Sequence, residues 1–76
     1  MDNLNNLGGK LKQLRINKSV TQKQIAEHLQ VTTVTVQRFE YGDRRPGLET
    51  IIKLCKYFNV SSDYLLGLSD NPKKLP

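Results

Sequence analysis

The sequence predicts an all-α domain, a compact bundle of five short helices, and three observations carry that reading. Apolar residues recur at helical spacing in successive segments of the chain. Residue types that favour helix ends (Thr, Ser, Asn and Gly) stand between those segments. The one run with strand composition, VTTVTV over Val31 to Val36, has no partner run with which to pair.

The elements follow in order. Leu4, Leu7, Leu11 and Leu14 recur at steps of three, four and three, which puts them on one face of a helix from about Leu7 to Asn17. Lys10, Lys12, Gln13 and Arg15 fall elsewhere on that helix. Gly8 and Gly9 each cost up to roughly 1 kcal/mol relative to alanine in a helix interior, so a frayed or late first turn is expected, with residues 1–6 as a flexible N-terminus. Thr21 followed by Gln24 fits a capping box, in which each side chain satisfies a free backbone N–H. The second helix therefore spans Gln22 to Leu29, with Ile25, Ala26 and Leu29 inward. His28 lies on its outer side without a second ligand nearby and reads as a solvated histidine.

Gln30 and Val31 form a break, and Thr32 caps a third helix running to about Tyr41. Val36 and Phe39 are its core residues, with Val31 packing at the turn. Thr33, Val34, Gln37 and Arg38 then share the opposite face. Gly42 ends this helix where a left-handed residue is easiest, and the basic loop Asp43 to Gly47 cannot be helical through Pro46. Leu48, Ile51, Ile52, Leu54, Cys55 and Phe58 make a fourth helix from about Leu48 to Phe58, whose breadth of apolar surface marks it as the central packing element. Asn59 and Val60 break it. Ser61 caps a short fifth helix, Ser62 to Leu66, which buries Tyr64 and Leu65 and stops at Gly67. Residues 69–76 read as a tail or the start of a linker, after a domain spanning residues 7–68.

Composition narrows the functions. Seventy-six residues suffice for one small core. Of the formal net charge of +5, the excess lies in residues 10–45, where eight basic residues face three acidic ones, while Pro46 to Asp70 is slightly acidic. A positive half beside a near-neutral half indicates a surface facing a polyanion, although a lysine-rich solvated exterior has the same composition. The single cysteine, Cys55, forms no internal disulfide and sits in an apolar helical series, where it packs. The N-terminus has no signal-peptide pattern, and no apolar run approaches membrane-spanning length, so the expectation is a cytoplasmic protein without a membrane partner. There is no glycine-rich phosphate loop, no metal-ligand cluster, and no plausible pairing of the lone Cys and lone His. The sequence therefore predicts neither enzyme, metal nor cofactor.

The stretch Thr21 to Gly42, TQKQIAEHLQVTTVTVQRFEYG, is the organising element, two helices joined by a tight turn. With LKQLR before it, and RRP, LETIIKLCKYFNV and SSDYLLGLSD after it, the chain resembles the Cro/phage-repressor (Xre) class of helix-turn-helix domains over about Leu7 to Asp70. The resemblance implies a five-helix bundle of the lambda/434-repressor type that binds a double-stranded DNA operator, commonly a palindrome. It implies a bacterial or phage-encoded transcriptional regulator, most often a repressor. The partner assembly expected is a homodimer on DNA, weak or monomeric when free. One departure stands out: where the family commonly has glycine after the second helix, this chain has Gln30, which must adopt a positive φ at a cost of order 1 kcal/mol or alter the turn.

On that reading Thr33, Val34, Gln37 and Arg38 are the base-reading candidates. Arg38 suits guanine O6 and N7, Gln37 suits adenine N6 and N7, and Val34 suits a thymine methyl. The bland reading of Val34 is a core valine, but Val36 and Phe39 already fill the inward face. Gln22 resembles the family's phosphate-contacting glutamine and stands at a helix amino end, where an anion is favoured. Thr32, Arg44 and Arg45 are further phosphate candidates, followed by Lys10 and Lys23, for which a solvated charge is an equal reading. The resemblance also implies a salt bridge between Arg15 and Glu40 that orients the recognition helix. The competing class is a protein-interaction module, such as an antitoxin or adaptor, using the same bundle; a salt-sensitive shift with duplex DNA separates the two.

Overall fold

Local backbone chemistry starts and stops each helix. A computed structural model of the chain describes residues 6 to 71 and residue 73, with α1 at Asn6–Lys18, α2 at Gln22–Leu29, α3 at Thr33–Tyr41, α4 at Leu48–Phe58 and α5 at Ser62–Leu65. Among the described residues there is no strand. Leu4 of the first apolar series, with the rest of residues 1–5, and Pro72 and residues 74–76 of the tail lie outside the described residues.

At the amino ends, Thr21, Thr32 and Ser61 each accept a hydrogen bond from the backbone N–H three residues on, and Thr21 and Gln24 complete the capping box. At the carboxyl ends a repeated device appears. Ser19, Gln30 and Asn59 all take left-handed backbone (φ 61°, 59° and 56°). In each case the following valine donates its N–H back across the last turn: Val20 to the Arg15 carbonyl, Val31 to Ala26 and Val60 to Cys55. Each of these valines packs against the core or lies within it. Gly42 closes α3 at φ 95°.

Gln30 thus does adopt the strained conformation. Gln30→Gly relieves steric cost of ~1 kcal/mol or more but adds backbone entropy to the unfolded chain. A net gain of about 0.5 kcal/mol is expected in urea unfolding; a loss of stability would contradict this account of the turn.

The core unites Leu7 and Leu11 of α1, Ile25, Ala26 and Leu29 of α2, Val36 and Phe39 of α3, Leu54 and Cys55 of α4, and Leu65 of α5. Full burial of a leucine such as Leu11 or Leu54 contributes ~2 kcal/mol.

Four sequence expectations need correction. The first helix does not start late: it takes in Asn6 and runs through both glycines to Lys18. Gly8 is buried there because α1 meets the backbone of α3; a Cβ at that position would lie 2.5 Å from the Phe39 carbonyl oxygen and closer still to that of Glu40. Secondly, α4 is not the packing centre. The most extensive packing is of α3 against α1 and against α2. The apolar face of α4 is wider than the bundle covers, leaving Leu48 74% and Ile52 44% exposed. Tyr64 is half-buried rather than buried, its ring covered on one face by the Lys10 ammonium. The fifth helix ends one residue early, at Leu65.

Candidate nucleic-acid interface

The capped turn between α2 and α3 decides which face of α3 reaches solvent. With Val36 and Phe39 at 0% and 5% exposure, the other side of the helix must point outward. Val34 is 53% exposed, Gln37 and Arg38 are exposed, and Thr33, at the first position of α3, is half-buried. The four base-reading candidates therefore occupy the outer side of one helix, with an exposed valine among polar neighbours.

Beside this face lies a recess of about 470 Å³ lined by Lys12, Arg15, Thr21, Gln22, Gln37, Glu40 and Tyr41. It joins α1, the amino end of α2 and the outer face of α3. Arg15 spans these elements. Its Nε donates to Glu40 Oε2 at 2.6 Å, its Nη2 to Oε1 at 3.2 Å, and its Nη1 to the Val20 carbonyl at 3.2 Å. Side-chain exposures of 16% for Arg15 and 5% for Glu40 make this a largely desolvated, two-point ion pair. Gln22 joins it, its Nε2 donating to Glu40 Oε1 at 3.0 Å.

The remaining phosphate candidates divide. Thr32 is exposed, but its hydroxyl caps α3 and pairs with the Thr35 hydroxyl at 2.9 Å. Arg44 and Arg45 are exposed and line a small cleft with Tyr41, Gly42 and Gly8, held against the end of α3 by bonds from the N–H groups of residues 42–44 to the Arg38 carbonyl. Lys23 is exposed on α2. Lys10 points elsewhere, donating to the Tyr64 carbonyl at 2.8 Å with its ammonium 4.7 Å from the Tyr64 ring centre, so it ties α1 to α5.

Two residues of the recess escaped the sequence reading. Tyr41 is 83% exposed at the end of α3, and Lys12 is exposed on α1. Both were within reach of helical spacing. Tyr41 follows Gln37 by four residues and Lys12 precedes Arg15 by three, so each shares a face with a residue already singled out. His28 is exposed, and its ring rests against Tyr57 of α4 at 4.6 Å between centroids. Among the described residues no group of His, Cys, Asp or Glu could hold a metal ion, and no helix is long and apolar enough to cross a membrane.

Two capped helices at a fixed turn, the second presenting a solvent-exposed face beside basic residues, define the helix-turn-helix class of domain. The chain belongs to the helix-turn-helix family, whose model matches residues 11–65. It is 40% identical over 68 residues to the HTH-type transcriptional regulator ImmR of Bacillus subtilis, a match covering 90% of this chain and 54% of that protein. Similarity to the HTH-type transcriptional activator BcrR of Enterococcus faecalis, 40% over 57 residues, covers 75% of this chain and 28% of that protein. The chain thus spans about half or less of the length of these relatives. The fold is that of the P22 c2 repressor, solved in complex with synthetic operator 9T, at a TM-score of 0.77 and 24% identity over 83% of this chain and 96% of that one.

Proposed function

We propose that this chain binds double-stranded DNA with sequence preference and acts in the cytoplasm as a transcriptional regulator, a repressor in the first instance, with α3 in the major groove of a palindromic operator. The observation that carries this reading is the outer face of α3, where Val34, Gln37 and Arg38 stand exposed beside a basic rim. Three kinds of contact are assigned. Thr33, Val34, Gln37 and Arg38 read base edges. Gln22 and Lys23 in the first turn of α2, Thr32 at the start of α3, and Arg44 and Arg45 in the loop after α3 face the phosphate backbone, which fixes register without reading sequence. Arg15 and Glu40 hold the angle between them. Lys10 would have to leave Tyr64 to join the second group, so it ranks last.

Selection of bound sequences from a random duplex pool tests the reading. A palindromic motif is expected, and a pool without any enriched motif would refute it. Arg38→Ala is expected to weaken binding to the selected site by roughly 1–3 kcal/mol and to relax preference at one base pair. Arg44→Ala instead weakens selected and scrambled duplexes alike and lowers the salt slope by about one unit. Titrations of both duplexes over a range of salt concentrations distinguish the two outcomes.

A palindrome calls for two copies. We assign their contact to exposed apolar side chains, Leu48 and Ile52 of α4 together with Leu68 beyond α5. Ile52→Glu is expected to leave the monomer folded while abolishing cooperative occupancy of the two half-sites in band-shift titrations.

A further inference from the structure

We infer that Glu40 is a positioning residue that holds the Gln22 carboxamide as a hydrogen-bond donor toward the DNA backbone; this rests on the DNA-binding reading above. The starting point is a chemical ambiguity in glutamine. Its carboxamide presents two N–H donors at one end and a carbonyl acceptor at the other, and a half-turn about a soft terminal torsion exchanges them. Opposite a phosphate only the nitrogen end attracts. An unrestrained Gln22 would offer the wrong end part of the time.

Glu40 removes that freedom. An ionised carboxylate accepts hydrogen bonds and donates none, so the contact between Gln22 and Glu40 Oε1 selects the amide nitrogen. That nitrogen keeps a second N–H, and Gln22 lines the recess beside Lys12, Gln37 and Tyr41. A carboxylate so near a phosphate would ordinarily repel it. Here both Glu40 oxygens accept from Arg15, and the Glu40 side chain is 5% exposed, so its charge is neutralised within the protein. The three residues come from α2, α3 and α1 respectively, so a phosphate held by Gln22 bears directly on the carboxyl end of the recognition helix.

The test is a double-mutant cycle on the full chain, read by fluorescence anisotropy with a labelled random-sequence duplex at low salt. Gln22→Ala is expected to weaken binding by a little over tenfold when Glu40 is present, the lower end of what a hydrogen bond to a charged group contributes. In a Glu40→Gln background the same change is expected to cost less than about twofold, because the pair acts as a unit. Equal losses in the two backgrounds would overturn the inference. Arg15→Lys separates positioning from stability: it breaks the two-point contact and lowers stability, yet retains the full Gln22→Ala loss. A shrunken loss there would assign the effect to general loosening and overturn the proposal.

A second readout needs no DNA. In the NMR spectrum of the free wild-type protein, one Gln22 side-chain amide proton is expected downfield and slow to exchange, and this signature collapses in Glu40→Gln. Its absence from the wild type overturns the inference whatever the binding data show. A wild type that shows this signature but binds no duplex would instead refute the DNA-binding reading.

Discussion

Gly8→Ala lowers the unfolding free energy by about 3 kcal/mol, at the upper end of what overpacking a core costs. By helix propensity alone the change should stabilise α1 by up to roughly 1 kcal/mol. Tertiary geometry reverses the sign. The new methyl carbon would meet the backbone carbonyl oxygens of Phe39 and Glu40, inside van der Waals distance, and neither can rotate away as a flexible side chain could. Relief requires α1 and α3 to separate, which loosens Leu7, Leu11 and Phe39 together. Gly9 supplies the internal control, since nothing lies within 4 Å of a Cβ there. Gly9→Ala is expected to gain up to about 1 kcal/mol. Urea unfolding of the two variants decides the matter, and a Gly8→Ala protein as stable as Gly9→Ala would contradict the close helix approach.

The second large effect is at Arg15. Arg15→Met leaves the Glu40 carboxylate 95% removed from solvent with only the Gln22 amide as partner, and the loss expected is about 3 kcal/mol. The figure sits low in the range for broken buried pairs because Arg15 itself reaches water. Much of it is the cost of a stranded charge rather than the worth of the intact pair. Consequently Arg15→Met combined with Glu40→Leu, which removes both charges and fills the space with apolar atoms, should recover most of the loss in thermal or urea unfolding. Recovery of stability without recovery of DNA affinity would then separate two roles of the pair, holding the bundle together and setting the recognition helix. Failure of the double variant to recover would show that the pair itself is strongly stabilising.

Some elements could be read from short stretches of sequence and others could not. The boundaries of α2, α3 and α4 follow from local chemistry. Thr21 with Gln24, Thr32, Gly42, and Asn59 each satisfy or terminate backbone hydrogen bonding within a few residues, so their meaning does not depend on the rest of the fold. The outward face of α3 was equally accessible, because fixing Val36 and Phe39 inside leaves Val34, Gln37 and Arg38 outside by helical geometry alone. The left-handed caps at Ser19 and Asn59 form a repeated pattern with Gln30 only in the folded backbone, although a valine follows each in the sequence.

Other features depend on residues distant in sequence. Gly8 looked like a weakness of α1 and is in fact the site of its contact with α3, more than thirty positions away. Charge alone places Lys10 among the phosphate candidates, whereas its ammonium reaches the Tyr64 carbonyl across 54 positions. The apolar breadth of α4 implied centrality, yet how much of that face is covered is set by the area its neighbours present. The family resemblance and a place at a helix start link Gln22 to phosphate, but its bond to Glu40 forms only when α2 and α3 are folded together.

What the sequence by itself determined is therefore the number and order of the helices, the side-chain caps at Thr21, Thr32 and Ser61, the burial side of α2 and α3, and the outward face of α3. Those depend on hydrogen bonds and periodicities closed within a turn or two of chain. Tertiary structure decided which glycine is indispensable, which basic residue is tied inside the bundle, and how Arg15, Gln22 and Glu40 combine. Each of those is a distance between atoms on different helices, set by how the helices pack rather than by any single segment.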